Sequence, residues 1–109
     1  MDRKTRQFYH QFYQLKSKIE QAQQVRHFSR QIFFQNKLLV SDANIYYSLR
    51  QLLKRTPQKQ VLQHFIKNKK FLFNPPTHFL GNKHLNLRVN PVLFYQNVLQ
   101  VMVNNVLLS

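Results

Sequence analysis

Residues 56–74 carry the pattern that most constrains how this chain can fold, because they combine the signals of a capped helix, a basic turn and a short strand. The hydroxyl of Thr56 can cap a helix, and Pro57 suits the first helical position, where its missing N–H costs nothing. The apolar side chains that follow recur at helical spacing and so share one face. They are Val61, Leu62, Phe65 and Ile66.

A basic turn and an apolar run follow this predicted helix. Lys69 and Lys70 lie in the turn, directly before the run FLF at 71–73, which has the composition of a short strand. Lys59 and Lys67 lie away from the apolar face of the helix. The stretch therefore predicts a helix-turn-strand unit with a basic outer side, a surface suited to a negatively charged partner.

Three further helices are predicted before this unit, and the first is the clearest. In residues 4–24 the apolar side chains step by four, three and four, which is a helical stripe. Tyr9 and Tyr13 broaden that stripe. The stripe itself consists of Phe8, Phe12, Leu15 and Ile19.

The second and third predicted helices are shorter. The second covers residues 26–34, and Asn36 and Lys37 are expected to break it. The third begins at Ser41, whose hydroxyl can cap it, with the carboxylate of Asp42 near the positive end of the helix dipole. The expected buried residues are Phe28, Ile32 and Phe33 in the second helix and Ile45, Leu49, Leu52 and Leu53 in the third.

The remainder of the chain contains loop and strand signals with one ambiguity. Residues 77–83 are predicted to form a loop that turns at Gly81. Residues 85–89 alternate apolar and polar side chains, which is a strand signal. Residues 92–108 fit either a hairpin, with a turn at Asn104-Asn105, or a single helix, and the pattern does not decide between them.

Together these elements predict an α+β fold, with N-terminal helices followed by a module of two helices and a short sheet. The length of 109 residues fits one small domain with an extension. We expect an N-terminal helical extension in residues 1–40, a module in residues 41–95 that contains the basic helix-turn-strand unit, and a C-terminal segment in residues 96–109 that is strand or helix.

The charge of the chain indicates the class of partner. Lys and Arg number 17 against 3 Asp and Glu, which gives a formal net charge of +14. Such self-repulsion opposes compaction unless a polyanion neutralises it. Nucleic acid is therefore the first partner to consider, and an anionic membrane surface is the second.

The residue types needed for catalysis are scarce. The chain has no cysteine and a single glycine, and its 3 acidic residues are dispersed, so no thiolate site, glycine-rich phosphate loop or carboxylate pair is indicated. The 5 histidines are widely spaced, which argues against a metal site. We therefore expect neither an enzyme nor a cofactor, metal or small-molecule substrate.

Two stretches resemble the small-subunit ribosomal protein S-four family. Residues 6–13, RQFYHQFY, look like the family's "RQF…YF" helix. Residues 58–74 are similar to its "TRxxARQLVxHxHILVN" hallmark, with Leu62 at the small-residue position and 71–73 as the strand. Residues 88–94 look like the later "VKPGDVI" strand entry. Pro75 stands where the family has a glycine.

The resemblance implies a small α+β module that holds ribosomal RNA (rRNA) by a basic helical face. We expect the partners to be rRNA of the small ribosomal subunit and neighbouring ribosomal proteins. The central contact set is predicted to be Arg50, Lys54, Arg55, Lys59, Lys67, Lys69 and Lys70. The N-terminal contact set is predicted to be Arg3, Lys4, Arg6, Lys16, Arg26 and Arg30.

The setting expected for this function is the mitochondrial matrix. The abundance of Asn, Gln, Lys, Phe, Tyr and Leu indicates an AT-rich coding sequence, as in many organelle genomes. No window is apolar for long enough to span a bilayer, so no transmembrane segment is expected. The alternative function is an accessory subunit of a respiratory or ATP-synthase membrane complex, in which a basic aromatic chain packs against proteins and anionic lipid.

Overall fold

The fold is helical throughout the residues that the structure describes. In this computed structural model those are residues 3–73 and 91–107, apart from the side chains of residues 71, 73 and 91–93. One cluster of buried apolar side chains draws on all of the helices. In chain order these are α1 (Arg3–Gln24), α2 (Phe28–Leu39), α3 (Asp42–Leu53), α4 (Lys59–Lys67), α5 (Lys70–Phe73) and α6 (Pro91–Leu107).

The predicted α+β fold is wrong for these residues, and the run 71–73 shows why. It forms the single-turn helix α5, in which the amide of Leu72 donates to the carbonyl of Lys69 at 3.0 Å. The side chain of Leu72 enters the core and is 2% exposed. A short apolar run fits a buried helical turn as well as a strand, and here burial decides. The strand and loop predicted within residues 77–89 lie outside the described residues.

The C-terminal segment adopts the helical alternative, and the hairpin alternative is wrong. Helix α6 carries polar side chains at 96, 97, 100 and 104, all exposed, while its opposite side is buried. Its valines favour strands only weakly, and burial of one complete helical face outweighs that preference. The buried apolar residues of α6 are Phe94, Tyr95, Val98, Met102 and Val106.

Helices α1 and α2 pack as an antiparallel hairpin joined by residues 25–27. The amide of His27 donates to the carbonyl of Ala22 at 2.9 Å and that of Arg26 to Gln23 at 3.1 Å, the two hydrogen bonds of a Schellman motif. Arg26 takes the left-handed conformation that this motif requires, with φ of 55°. The predicted stripe of α1 is confirmed, since all four of its residues are buried.

The predictions for α2 are wrong in two respects. The helix continues through Asn36 and Lys37 to Leu39. Its core side carries Leu38, fully buried, and Phe34, half-buried. The side predicted to be buried faces solvent: Phe28 is 69% exposed, Ile32 57% and Phe33 58%. Packing against α1 and α6 selects the core side, and the apolar residues of α2 surround the helix too evenly for the sequence to reveal it.

Helix α3 lies at the centre of the molecule, in contact with α1, α4 and α6. Ser41 caps it as predicted, because its hydroxyl accepts a hydrogen bond from the Asn44 amide at 3.1 Å. Every residue from 43 to 49 is buried. Within its predicted stripe Ile45 and Leu49 are fully buried, whereas Leu52 and Leu53 pack against the edge of the core.

A polar network joins α3 to α6; it consists of the buried residues Asn44, Ser48 and Asn105. At its edge the exposed Gln51 donates through Nε2 to Asn105 Oδ1 at 3.4 Å. Asn44 Nδ2 donates to the carbonyl of Met102 at 3.2 Å. Asn105 Nδ2 donates to Asn44 Oδ1 at 3.0 Å and to Ser48 Oγ at 3.3 Å. Because unpaired buried amides are costly, these bonds fix how α6 is positioned along α3.

Helix α4 begins two residues later than predicted. Gln58 occupies the N-cap position without a side-chain hydrogen bond, and Lys59 is the first helical residue. Pro57 precedes the helix, and its ring is buried against the core. The apolar face is confirmed, because Val61, Leu62 and Phe65 are buried and Ile66 packs against them.

Candidate nucleic-acid interface

Four cations of the predicted central contact set cluster around the connection between α3 and α4. Arg50 lies in the last turn of α3, Lys54 and Arg55 follow it, and Lys59 begins α4. All four side chains are exposed. Since residues 54–58 reverse the chain between two packed helices, this end of the helix pair presents its charges together.

The backbone at Lys54 gives this group an unusual feature. Lys54 takes the left-handed conformation at the C-terminal end of α3, with φ of 56°. Such a position favours glycine, and a side chain there costs about 1 kcal/mol. Arg26 occupies the equivalent position at the end of α1. Both left-handed positions in the described residues are therefore held by cations.

Lys69 does not present its charge as predicted. Its Nζ lies 3.2 Å from Asp42 Oδ1 and donates to the carbonyl of Val40 at 3.1 Å. These contacts join the turn after α4 to the beginning of α3. Half of the Lys69 side chain is covered, and its charge is matched by a carboxylate. We therefore assign Lys69 a structural role.

The contact between Lys69 and Asp42 also divides the central contact set. It places the C-terminal end of α4 beside the N-terminal end of α3, so the two helices are antiparallel. Lys67 and Lys70 lie at that end, both exposed, and Lys59 lies at the opposite end of α4. Eight residues of helix separate Lys59 from Lys67, or about 12 Å. The set forms two basic groups at opposite ends of the helix pair.

The N-terminal contact set begins where cations are electrostatically unfavourable. Arg3, Lys4 and Arg6 lie in the first turns of α1, whose first turn contains no acidic residue. The helix dipole disfavours positive charge there by about 0.3–1 kcal/mol for each cation. All three side chains are exposed. Folding therefore does not account for their presence.

The other members of the N-terminal set differ in their surroundings. Lys16 is half-buried, with Nζ 5.2 Å from the centre of the Phe12 ring, so part of its interaction is internal. Arg26 and Arg30 are exposed near the connection between α1 and α2. Arg30 and Lys18 both line the cleft between the two helices.

Two cations that the sequence did not single out lie over aromatic rings. Lys18 Nζ is 5.3 Å from the ring centre of Phe34, and Lys37 Nζ is 5.8 Å from that of Phe33. The spacing of four residues between Phe33 and Lys37 is a signal that could have identified the second pair. We add Lys18 and Lys37 to the exposed basic surface of the α1–α2 hairpin.

The two tyrosine rings of α3 are core residues and are not available to stack on RNA bases. Tyr46 is 2% exposed and Tyr47 7% exposed, and both rings pack against α1. Burial, and secondarily the neighbouring Tyr9, raises the pKa of the Tyr47 hydroxyl above its ordinary value. The side chain of Phe73 lies outside the described part of the structure.

Metal binding and membrane insertion find no basis in the described residues. No three His, Asp or Glu side chains there form a group that could hold a metal ion. Among the described helices, none combines the length and the apolar character that crossing a membrane demands.

No family model, no curated protein and no solved structure matches the chain.

Proposed function

We propose that the protein is a structural, RNA-binding constituent of the small subunit of a mitochondrial ribosome. The observation that carries the proposal is the presence of exposed cations where they oppose folding. Arg3 and Lys4 oppose the dipole of α1. Arg26 and Lys54 take left-handed positions that are costly for any side chain, although a positive charge itself is favourable at the C-terminal end of a helix. Residues retained at a cost in stability are typical of a binding surface.

RNA is the polyanion that suits this distribution best. The basic groups lie at both ends of the α3–α4 pair and along the α1–α2 hairpin, so they surround the fold and do not line one pocket. A folded RNA can contact a small protein on several sides, and each phosphate that is neutralised releases counterions and adds to affinity. Structured RNA is recognised mainly by shape and backbone, which agrees with cations dispersed over several faces.

The ribosomal setting of the proposal comes from the family resemblance. The stretch 58–74 supports it through helix α4 and the basic turn after it, but the run 71–73 is helical and the strand of the family's module is absent there. The proposed contact surface is therefore formed by α4, the turn after it and the single helical turn α5. The mitochondrial setting rests on the composition of the chain.

An accessory subunit of a membrane complex is the second candidate, and one observation favours it. Phe28, Ile32 and Phe33 expose more than half of their surface on α2. Contiguous exposed apolar side chains beside basic residues suit either a protein neighbour or an anionic lipid surface. Both candidates are tested by the conditions that release the protein from its assembly.

The first experiment measures RNA affinity as a function of salt concentration. Neutralising Arg50, Lys54 and Arg55 together with glutamine should lower the affinity for small-subunit rRNA. The slope of log affinity against log salt should fall by roughly 1 for each phosphate that the variant no longer neutralises. The matched control, Gln96→Glu with Asn97→Asp and Asn104→Asp, makes the same change in net charge on the exposed side of α6.

The control separates a local contact from a general effect of charge. If both triple variants lose affinity equally, the protein attracts RNA only through its net charge and the assigned surface is wrong. Sedimentation then decides the setting: co-migration with small ribosomal subunits and release by high salt support the proposal. Release by mild detergent together with a membrane complex would overturn it in favour of the second candidate.

A further inference from the structure

We propose that the outer face of α1 binds a single-stranded RNA segment by stacking an unpaired base on the ring of Tyr13. This inference rests on the proposed RNA-binding function and assigns one site within it. The site is a shallow open groove of about 800 Å³ along α1. It is lined by Arg6, Tyr9, His10, Tyr13, Gln14, Ser17, Lys18 and Gln21.

Tyr13 is the most accessible ring of an otherwise buried aromatic cluster. One of its faces packs on Tyr9, with ring centres 5.3 Å apart and planes 28° apart. Phe12 and Tyr47 hold it from the side at 5.4 Å and 6.3 Å. Its orientation is thereby fixed, yet 52% of its surface remains exposed. A fixed, half-exposed aromatic ring is a preorganised stacking surface, because little entropy is lost when a base docks on it.

The row of the helix that contains Tyr13 leaves room for that base. Side chains four residues apart lie in one row, so Tyr9, Tyr13 and Ser17 follow one another along α1. Ser17 carries the smallest side chain of the groove and cannot cover the Tyr13 ring. A base that stacks on Tyr13 therefore adds a third ring to the existing stack of Tyr9 and Tyr13.

The flanking side chains match a nucleotide and not a peptide. Arg6 and Lys18 lie at the two ends of the neighbouring row of α1, which also contains His10 and Gln14, and can contact phosphates on either side of the stacked base. Gln14 and Gln21 supply amides that can donate to and accept from base edges. No acidic residue lines the groove. Glu20 lies outside it on the same helix.

The buried hydroxyl beneath this face is a second feature of the site. Tyr47 Oη is buried and forms no hydrogen bond of ordinary geometry with the described residues. Its ring is packed against both Tyr9 and Tyr13.

Tryptophan substitution provides a direct test, because the chain contains no tryptophan. In Tyr13→Trp the new ring is the only indole, and a base that stacks on it should quench its fluorescence. The matched control is Phe33→Trp, at another exposed aromatic position, on α2. Each variant of the full chain is titrated with single-stranded oligoadenylate and with an RNA duplex that has the same number of phosphates.

We expect oligoadenylate to quench Tyr13→Trp strongly, the duplex to quench it weakly, and neither to quench Phe33→Trp to the same extent. Tyr13→Leu should weaken single-strand binding by roughly tenfold with an unchanged salt dependence, whereas Tyr13→Phe should retain it. Arg6→Gln should lower the salt slope by about 0.7 for a single strand.

The outcomes distinguish this inference from the function on which it rests. If both RNA probes bind but Tyr13→Trp is not quenched and Tyr13→Leu binds as tightly as the original protein, the stacking site is wrong and RNA binding stands. If neither probe binds at moderate salt, the proposed function fails and the stacking site fails with it. Equal quenching by single strand and duplex would also overturn the site, because a paired base cannot dock on Tyr13.

Discussion

Helix α3 packs against its two main neighbours by different chemistry. Toward α1 it buries aromatic rings, including Tyr46 stacked on Phe8 at 5.3 Å and Tyr47 tilted on Phe12 at 4.4 Å. Toward α6 it buries amides and a hydroxyl that form hydrogen bonds with one another. The first interface depends on contact area, which is insensitive to direction, and the second depends on bonds with a fixed geometry.

This difference teaches which interface specifies the arrangement of the helices. A small shift of α1 along α3 exchanges one ring contact for another at little cost. The same shift of α6 would separate Asn105 from Asn44 and Asn44 from the Met102 carbonyl, and so break two buried hydrogen bonds. The α3–α6 polar network therefore fixes the position of α6, whereas the aromatic interface supplies stability and tolerates adjustment.

The largest expected loss of stability comes from replacing Asn44 by leucine, which has a similar shape but forms no hydrogen bonds. Asn44→Leu removes the donor to the Met102 carbonyl and the acceptor of the Asn105 amide, so two buried hydrogen bonds between α3 and α6 are lost. We expect a loss of about 3 kcal/mol in the free energy of unfolding. Urea denaturation followed by circular dichroism measures it.

The matched substitution on the aromatic side is Phe12→Leu. Phe12 is 4% exposed, so it is as deeply placed as a member of the polar network, but its contacts are non-directional. We expect a loss of about 1 kcal/mol because neighbouring rings can adjust. Equal losses in the two variants would show that the interfaces do not differ in tolerance.

Alkaline pH should destabilise the fold through two buried tyrosines, Tyr47 in the interface of α3 with α1 and Tyr95 on the side of α6 that packs against α4. Burial raises the pKa of the Tyr47 and Tyr95 hydroxyls above the ordinary value of about 10. Above that pH the unfolded chain loses these protons and the folded chain keeps them, so stability present below pH 10 is lost as the pH rises. Each tyrosine contributes at most about 1.4 kcal/mol per pH unit. Denaturation midpoints at pH 9 and pH 11, about one unit either side of that value, provide the measurement.

The loss at alkaline pH should be assignable to these residues. Tyr47→Phe and Tyr95→Phe should each reduce the pH dependence, because each removes one of the two buried hydroxyls. If neither substitution alters the dependence, the deprotonation responsible lies elsewhere in the chain.

The smallest expected changes in stability come from substitutions at Tyr47 and Ser48. These residues are adjacent in sequence, but Tyr47 faces α1 and Ser48 faces α6. Tyr47→Phe removes a buried hydroxyl without a hydrogen-bond partner among the described residues and should raise the free energy of unfolding by about 0.5–1 kcal/mol. Ser48→Ala removes a hydroxyl that accepts from Asn105 and should lower it by about 1 kcal/mol. Opposite signs at neighbouring positions would confirm the contrast between the interfaces, and equal signs would contradict it.

The sequence predicted helices where one face was clearly apolar. The stripe of α1, the Ser41 cap and the apolar face of α4 are local patterns that packing preserves. The prediction failed at α2, because apolar residues occur on several sides of that helix. It also failed at residues 71–73, because three residues are too few to show either a helical or a strand period. Those elements take their structure from helices that are distant in sequence.

The candidate interface was predictable as a set of residue types but not as a surface. The exposure of Arg50, Lys54 and Arg55 follows from their positions at the end of an apolar stripe. The ion pair of Lys69 with Asp42 joins residues 27 positions apart, which no local pattern reveals. The left-handed conformation of Arg26 and Lys54 was equally hidden, since such positions are ordinarily recognised by glycine.

The partnership between α3 and α6 has a consequence for the order in which the chain acquires its structure. During synthesis α1 to α5 emerge first, and their mutual contacts are mostly between neighbours in sequence, which form quickly. The side-chain oxygen of Asn44 accepts from an amide 61 residues further on, which is synthesised late. Until then the nascent chain holds an incomplete centre, and arrival of α6 converts a loosely ordered assembly of helices into one committed arrangement.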